Sequence, residues 1–76
     1  MSIVDVRAAL EDGLAGRATV NRCTLQAVEG GRFQLLDVAI ALPDGTQQML
    51  SKVFPRGHDM QAAARKLGRA AFETAD

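Results

Sequence analysis

The residue pattern predicts an α+β domain of two layers in the order α-β-β-β-α: a three-stranded antiparallel meander with both helices on one face. Three observations predict it. Apolar residues recur at helical spacing near both ends, the middle alternates with a period of two, and two glycine-bearing turn sequences cut that middle into three. Seventy-six residues suit one domain, 1–76, with a small core.

The first helix is predicted from Ser2 to about Asp12. Ser2 followed three residues later by Asp5 resembles a capping box. Ile3, Val6, Ala9 and Leu10 form the apolar stripe, with Asp5, Arg7, Glu11 and Asp12 elsewhere on the wheel. Gly13 stands where a left-handed residue often ends a helix, and Leu14 is expected to fold back on the last turn. Glu11 and Asp12 oppose the dipole at that end.

Strands follow near Thr19–Val28, Arg32–Leu42 and Gln47–Phe54. Glu29-Gly30-Gly31-Arg32 fits a two-residue hairpin loop, because glycine tolerates the positive φ that such turns demand. In Leu42-Pro43-Asp44-Gly45, Pro pre-sets φ, Asp suits the next position and Gly can take the bulge that follows. These turns set the register. Val28 should face Phe33, Gln26 Leu35 and Cys23 Val38; Ile40 should face Gln48, Val38 Leu50 and Gln34 Phe54.

Alternation then sorts the side chains. One face collects Cys23, Leu25, Ala27, Leu36, Val38, Ile40, Leu42, Leu50 and Phe54, the side for the helices to cover. The other collects Val20, Arg22, Thr24, Gln26, Val28, Phe33, Leu35, Asp37, Ala39, Met49, Ser51 and Val53.

Pro55-Arg56-Gly57 stops the third strand, and Asp59 is the expected N-cap of the last helix. Met60, Ala63, Ala64, Leu67, Ala70, Ala71 and Ala75 make its apolar stripe, with Arg65, Lys66, Arg69 and Glu73 on the other side. The alanine-rich surface favours helix and lies close to a sheet. Phe72 is expected to cover one flank of the core.

Several functions find no support. Nine Lys/Arg against nine Asp/Glu leave no global field to attract nucleic acid or a membrane. One cysteine and one histidine can build neither an internal disulfide nor a zinc site. No apolar run approaches the ~18 residues of a membrane span, and no signal peptide pattern is present. A soluble cytoplasmic domain without cofactor or metal is the expectation. His58 reads as a loop residue ahead of the N-cap, and Cys23 as a buried hydrophobe. Ser2, Ser51 and the threonines lack a nucleophile setting, Asp37 and Asp44 lack a pairing, and the glycines lack phosphate-loop spacing. No enzyme is expected.

Two surfaces remain. On the face opposite the helices, Val28, Phe33, Leu35 and Val53 gather at one end beside polar Arg22, Thr24, Asp37 and Ser51. An exposed apolar patch often marks a binding surface. The leading expectation is therefore a non-enzymatic interaction module: a subunit, adaptor or inhibitor. It docks a protein partner or a second copy through this face or a sheet edge. Val28, Phe33, Leu35 and Val53 are its contacts and Arg22 its polar anchor. The competing expectation is that the 13–18 arm or Phe72 folds over the patch. The alternative function is nucleic-acid binding, for between Lys52 and Arg69 the cations Lys52, Arg56, Arg65, Lys66 and Arg69 stand against Asp59 alone. Neither Tyr nor Trp is present to stack bases.

The order helix, three strands, helix resembles the double-stranded-RNA-binding domain. Arg32-Phe33 opens the central strand, and Gln61-Ala62-Ala63-Ala64-Arg65-Lys66-Leu67 looks like that family's final helix. The family grips phosphates with a lysine-rich start of that helix; His58, Asp59, Met60 and Gln61 stand there here. Pro43-Asp44-Gly45-Thr46 after an apolar strand, with Leu67-Gly68-Arg69-Ala70 in the closing helix, resembles the C-terminal domain of hydroxymethylbilane synthase. That family carries a dipyrromethane cofactor on a cysteine in the loop before the first strand. Gly16-Arg17-Ala18-Thr19 holds none, so this resemblance implies a fold and not an activity.

Overall fold

A computed structural model describes residues 2–72. Its elements are α1 (Ile3–Leu14), β1 (Thr19–Val28), a single 3₁₀ turn (Glu29–Gly31), β2 (Phe33–Ala41), β3 (Gln47–Met49), β4 (Lys52–Pro55) and α2 (Met60–Ala70). The architecture is the predicted α+β one, with an antiparallel sheet in which β2 lies between β1 and the pair β3 and β4. The third predicted strand is thus two short ones. Both keep a single register on β2, from Ala41↔Gln47 through Gln34↔Phe54 to Phe33↔Pro55. The Leu50 N–H still donates to the Val38 carbonyl (2.7 Å) within the gap.

The turns explain why the register was readable. Gly30 and Gly31 have φ of 65° and 87°, and Arg32 N–H closes on the Glu29 carbonyl. Gly45 N–H bonds the Leu42 carbonyl (2.9 Å), Gly45 sits at φ 89°, and the Asp44 carboxylate accepts from Thr46 N–H (2.9 Å). Each hairpin is closed by the residue types its geometry requires. Asp59 caps α2, accepting from Ala62 N–H (3.2 Å), and Ser2 caps α1, accepting from Val4 N–H (3.1 Å).

The core lies between helices and sheet. Val6, Leu10 and Leu14 of α1, Met60, Ala63 and Ala64 of α2, and Leu36, Val38 and Ile40 of β2 are buried together. Cys23 and Phe54 join them, while Leu25, Leu42 and Leu50 pack partly buried at the margin. Each large aliphatic side chain so buried stabilises the fold by about 1.5–3 kcal/mol against an exposed one.

Five expectations need correction. Val20 does not belong to the open face: a β-bulge between Val20 and Arg22 adds Asn21, pairs Val20 with Ile40, and turns Val20 into the core. Arg7 of α1 secures the bulge by donating to the Val20 carbonyl (3.2 Å). Gly13 is not the left-handed terminus. The helix runs on to Leu14, and Ala15 takes that conformation at φ 53°, its N–H bonding Glu11 and Asp12 carbonyls. Gly13 serves packing instead, since a Cβ there would collide with the Arg65 carbonyl of α2. Gly68, absent from the predicted stripe, is buried for the reciprocal reason: its Cβ would stand 2.7 Å from the Leu10 carbonyl. Ala27 and Ala70, both assigned to covered faces, are exposed. Ala27 neighbours the hairpin residue Gly31, and Ala70 is the last residue of α2. Predicted Glu73 and Ala75 fall outside the described residues.

Candidate functional site

Register places the open face in rows across the strands. The first row is Val28, Phe33 and Pro55; the second is Gln26, Leu35 and Val53. Thr24 pairs with Asp37 in the third, and Arg22, Ala39 and Met49 form the fourth. The four apolar residues predicted as contacts therefore adjoin one another at the hairpin end. Phe33 is 38% and Val53 51% exposed. Leu35 and Val28 are partly buried, yet neither packs against the core.

Beyond that end the middle of the face is polar and internally satisfied. Asp37 accepts from Ser51 Oγ (2.8 Å) and Arg22 Nη2 (3.2 Å), and Arg22 Nη2 also reaches Met49 Sδ at 3.6 Å. Hydrogen bonds from Ser51 and then Arg22 hold the Asp37 carboxyl below its ordinary range. Arg22 is therefore part of a neutral pair, and Ala39 is buried in the same row. Met49, the most exposed large apolar side chain of this face at 61%, was left out of the predicted contacts. Its signal was its alternation with Ser51 and Val53 on one side of the strand.

The expected competitors for this face go elsewhere. Phe72 packs against the core cluster, with the Arg17 guanidinium 4.0 Å from its ring centroid, and Ala18 packs against the core too. Among the described residues no segment lies over Phe33 and Val53, which stay exposed.

The basic set does not form one patch. Arg65 is tied to Asp12 of α1 (2.9 Å), which gives that carboxylate a partner across the helix seam. Arg56 lies beside Ala27, Gly31 and Gln34 at the hairpin end. Lys52 and Lys66 line a groove with His58 on the helix-covered side. Arg69 is exposed in the last turn of α2.

The remaining reactive groups are dispersed. Burial pushes the Cys23 thiol up, Arg7 opposing and Glu11 adding. His58 stacks on Phe54 with ring centroids 5.0 Å apart. Hydrogen bonds from Thr46, backbone first, hold the Asp44 carboxyl low. No group of three metal-ligating side chains occurs among the described residues, and no described helix is long and apolar enough to cross a membrane. No family model, curated protein or solved structure matches this chain.

Proposed function

We propose that this chain is a non-catalytic protein-interaction module that works by docking its open sheet face, and that the occupant is a second copy of the same chain. The observation that carries the reading is the contiguous apolar end of that face, Val28, Phe33, Leu35 and Val53 with Pro55, uncovered by any described segment. Exposed apolar area of this kind gains from removal from water.

Charge favours self-pairing. Arg22 and Asp37 neutralise each other on the face, and equal numbers of Lys/Arg and Asp/Glu remove long-range repulsion between copies. A two-fold axis through the apolar end would lay each Phe33 and Leu35 against the partner copy's apolar rows, an isologous contact. Area sets the strength. Nine residues of β2 at ~3.4 Å each, by three strands ~4.8 Å apart, bound the whole open face, polar middle included, at roughly 400 Å² per copy. That is about half the ~800 Å² per partner of a standard interface, so the dimer is weak and exchanges fast.

Sedimentation velocity from about 10 μM to about 1 mM, the range of weak-interface dissociation constants, tests it. The sedimentation coefficient should rise with concentration. In Phe33→Asp and Val53→Asp it should stay monomeric, with circular dichroism and Tm close to those of the parent. A parent that remains monomeric at the top concentration, or variants that unfold, would overturn the reading.

A further inference from the structure

On the covered side of the sheet, the edge strand β4 and the outer flank of α2 part around a groove of about 230 Å³. Phe54 and Leu67 supply its apolar wall, and Lys52, Lys66 and His58 its polar one. Lys52 pairs with Leu36 on the ladder and so lies on the helix side of the sheet, where α2 brings Lys66 to the same groove.

We propose that this groove binds a small amphipathic anion: a phosphate monoester carried on a single ring. Three features of the groove converge on that chemistry. Its charge is of one sign, for no carboxylate among the described residues lines it. Neither lysine has an ion-pair partner there, since the described ion pairs are Arg22–Asp37 and Arg65–Asp12. Two ammonium groups match a phosphate dianion, and the imidazole adds a donor.

The second feature is aromatic. The His58 ring stacks on Phe54 with planes 27° apart, and Lys52 Nζ is 5.6 Å from the same ring's centroid. Phe54 is only 9% exposed and its ring is taken by these two neighbours, so the π surface offered to a ligand ring is the exposed His58 imidazole, which Phe54 holds in place. Size is the third. A cavity of about 150 Å³ accepts benzene, and drug-sized ligands occupy about 300–1,000 Å³, so the observed volume takes one ring and one anionic head. The groove and the open face lie on opposite sides of the sheet, so this site is independent of dimer formation.

Titration of the ¹⁵N-labelled protein with phenyl phosphate, followed by amide shifts, tests the assignment. Saturable shifts are expected around Lys52, Phe54, His58, Lys66 and Leu67, with weaker binding of both inorganic phosphate and phenol. Lys52→Gln and Lys66→Gln should each weaken phenyl phosphate about threefold, as exposed ion pairs do, and together about tenfold. Ala70→Glu, at an exposed helical position on the rim, should abolish binding without loss of helix signal. Phe33→Asp should leave it unchanged. Binding of phenol as tight as phenyl phosphate would show a merely apolar cleft, and equal binding of inorganic phosphate would show bare charge. Either result overturns the proposal. So does the absence of saturable shifts, or retention by a duplex or single-stranded oligonucleotide alone, which would return these lysines to a nucleic-acid role.

Discussion

Leu35 and Leu36 are consecutive residues of one strand, and they meet opposite environments. Leu36 is wholly buried beneath the helices, whereas Leu35 points to the open face between Gln26 and Val53. The same division runs along β2: Val38 and Ile40 join the core, and Phe33 and Asp37 face away from it. The covered face is apolar through its centre, where Leu36, Val38 and Ile40 meet the two helices, and polar at its margin, where Gln34 and Lys52 stand. The open face is apolar at its hairpin end, closes its polar middle with its own hydrogen bonds, and carries Met49 exposed at the far end. The contiguous apolar rows at the hairpin end, rather than single residues such as Met49, are what the proposed docking role rests on.

The sharpest way to break this comparison is to truncate both leucines and measure denaturant unfolding. Leu36→Ala should cost about 2–5 kcal/mol, the transfer term plus the cavity left in a closed core. Leu35→Ala should cost about 0.2–1 kcal/mol, the range of a cross-strand pair on an open surface. Similar losses at the two positions, measured at a concentration where the chain is monomeric, would mean that the chain itself covers the open face.

A smaller effect is expected at the helix seam that backs the covered face. Gly13→Ala gains up to about 1 kcal/mol in helix propensity, yet its Cβ collides with the Arg65 backbone. The collision should win, with a net loss of about 1–3 kcal/mol as the helices separate. A Tm at or above the parent's would show that the seam is loose enough to absorb a methyl group.

The smallest effect concerns the polar middle of the open face. The Asp37 carboxyl is lower in the folded chain than in the unfolded one, so the stability it contributes is present above its unfolded value. It is lost as pH falls through its folded value. Asp37→Asn should therefore have a slightly lower Tm than the parent at neutral pH, and the difference should vanish below the carboxylate range. Because the group is exposed, added salt should shrink it as well. A difference that persists in acid would assign the effect to shape rather than charge.

Much of the fold was legible, and particular residues show why. Thr19–Val28 is found as predicted, and Cys23↔Val38 and Gln34↔Phe54 pair as the turns required. The candidate face followed from that register, so Val28, Phe33, Leu35 and Val53 come together without any long-range information. The bulge was less accessible, though a trace of it was present. Val20 and Cys23 are both apolar at odd spacing, which strict alternation cannot place on one face, and an extra residue between them can. The groove was not legible at all. Lys52 and Lys66 belong to different elements, and a charge tally lumps them with Arg65, whose partner Asp12 lies fifty-three positions away.

The chain's own letters were enough for whatever depends on neighbours in sequence. Turn chemistry at Gly30-Gly31 and Pro43-Asp44-Gly45, caps at Ser2 and Asp59, and periodicity between them specify elements and pairing, because each rests on local φ/ψ preference and side-chain spacing. Which glycines touch, which cations share a groove and where β1 bulges were settled only when α1 met α2 and the sheet. Gly13 against Arg65, Arg7 on the Val20 carbonyl, and His58 on Phe54 are contacts between or beyond single elements, and their energies exist only once the layers close.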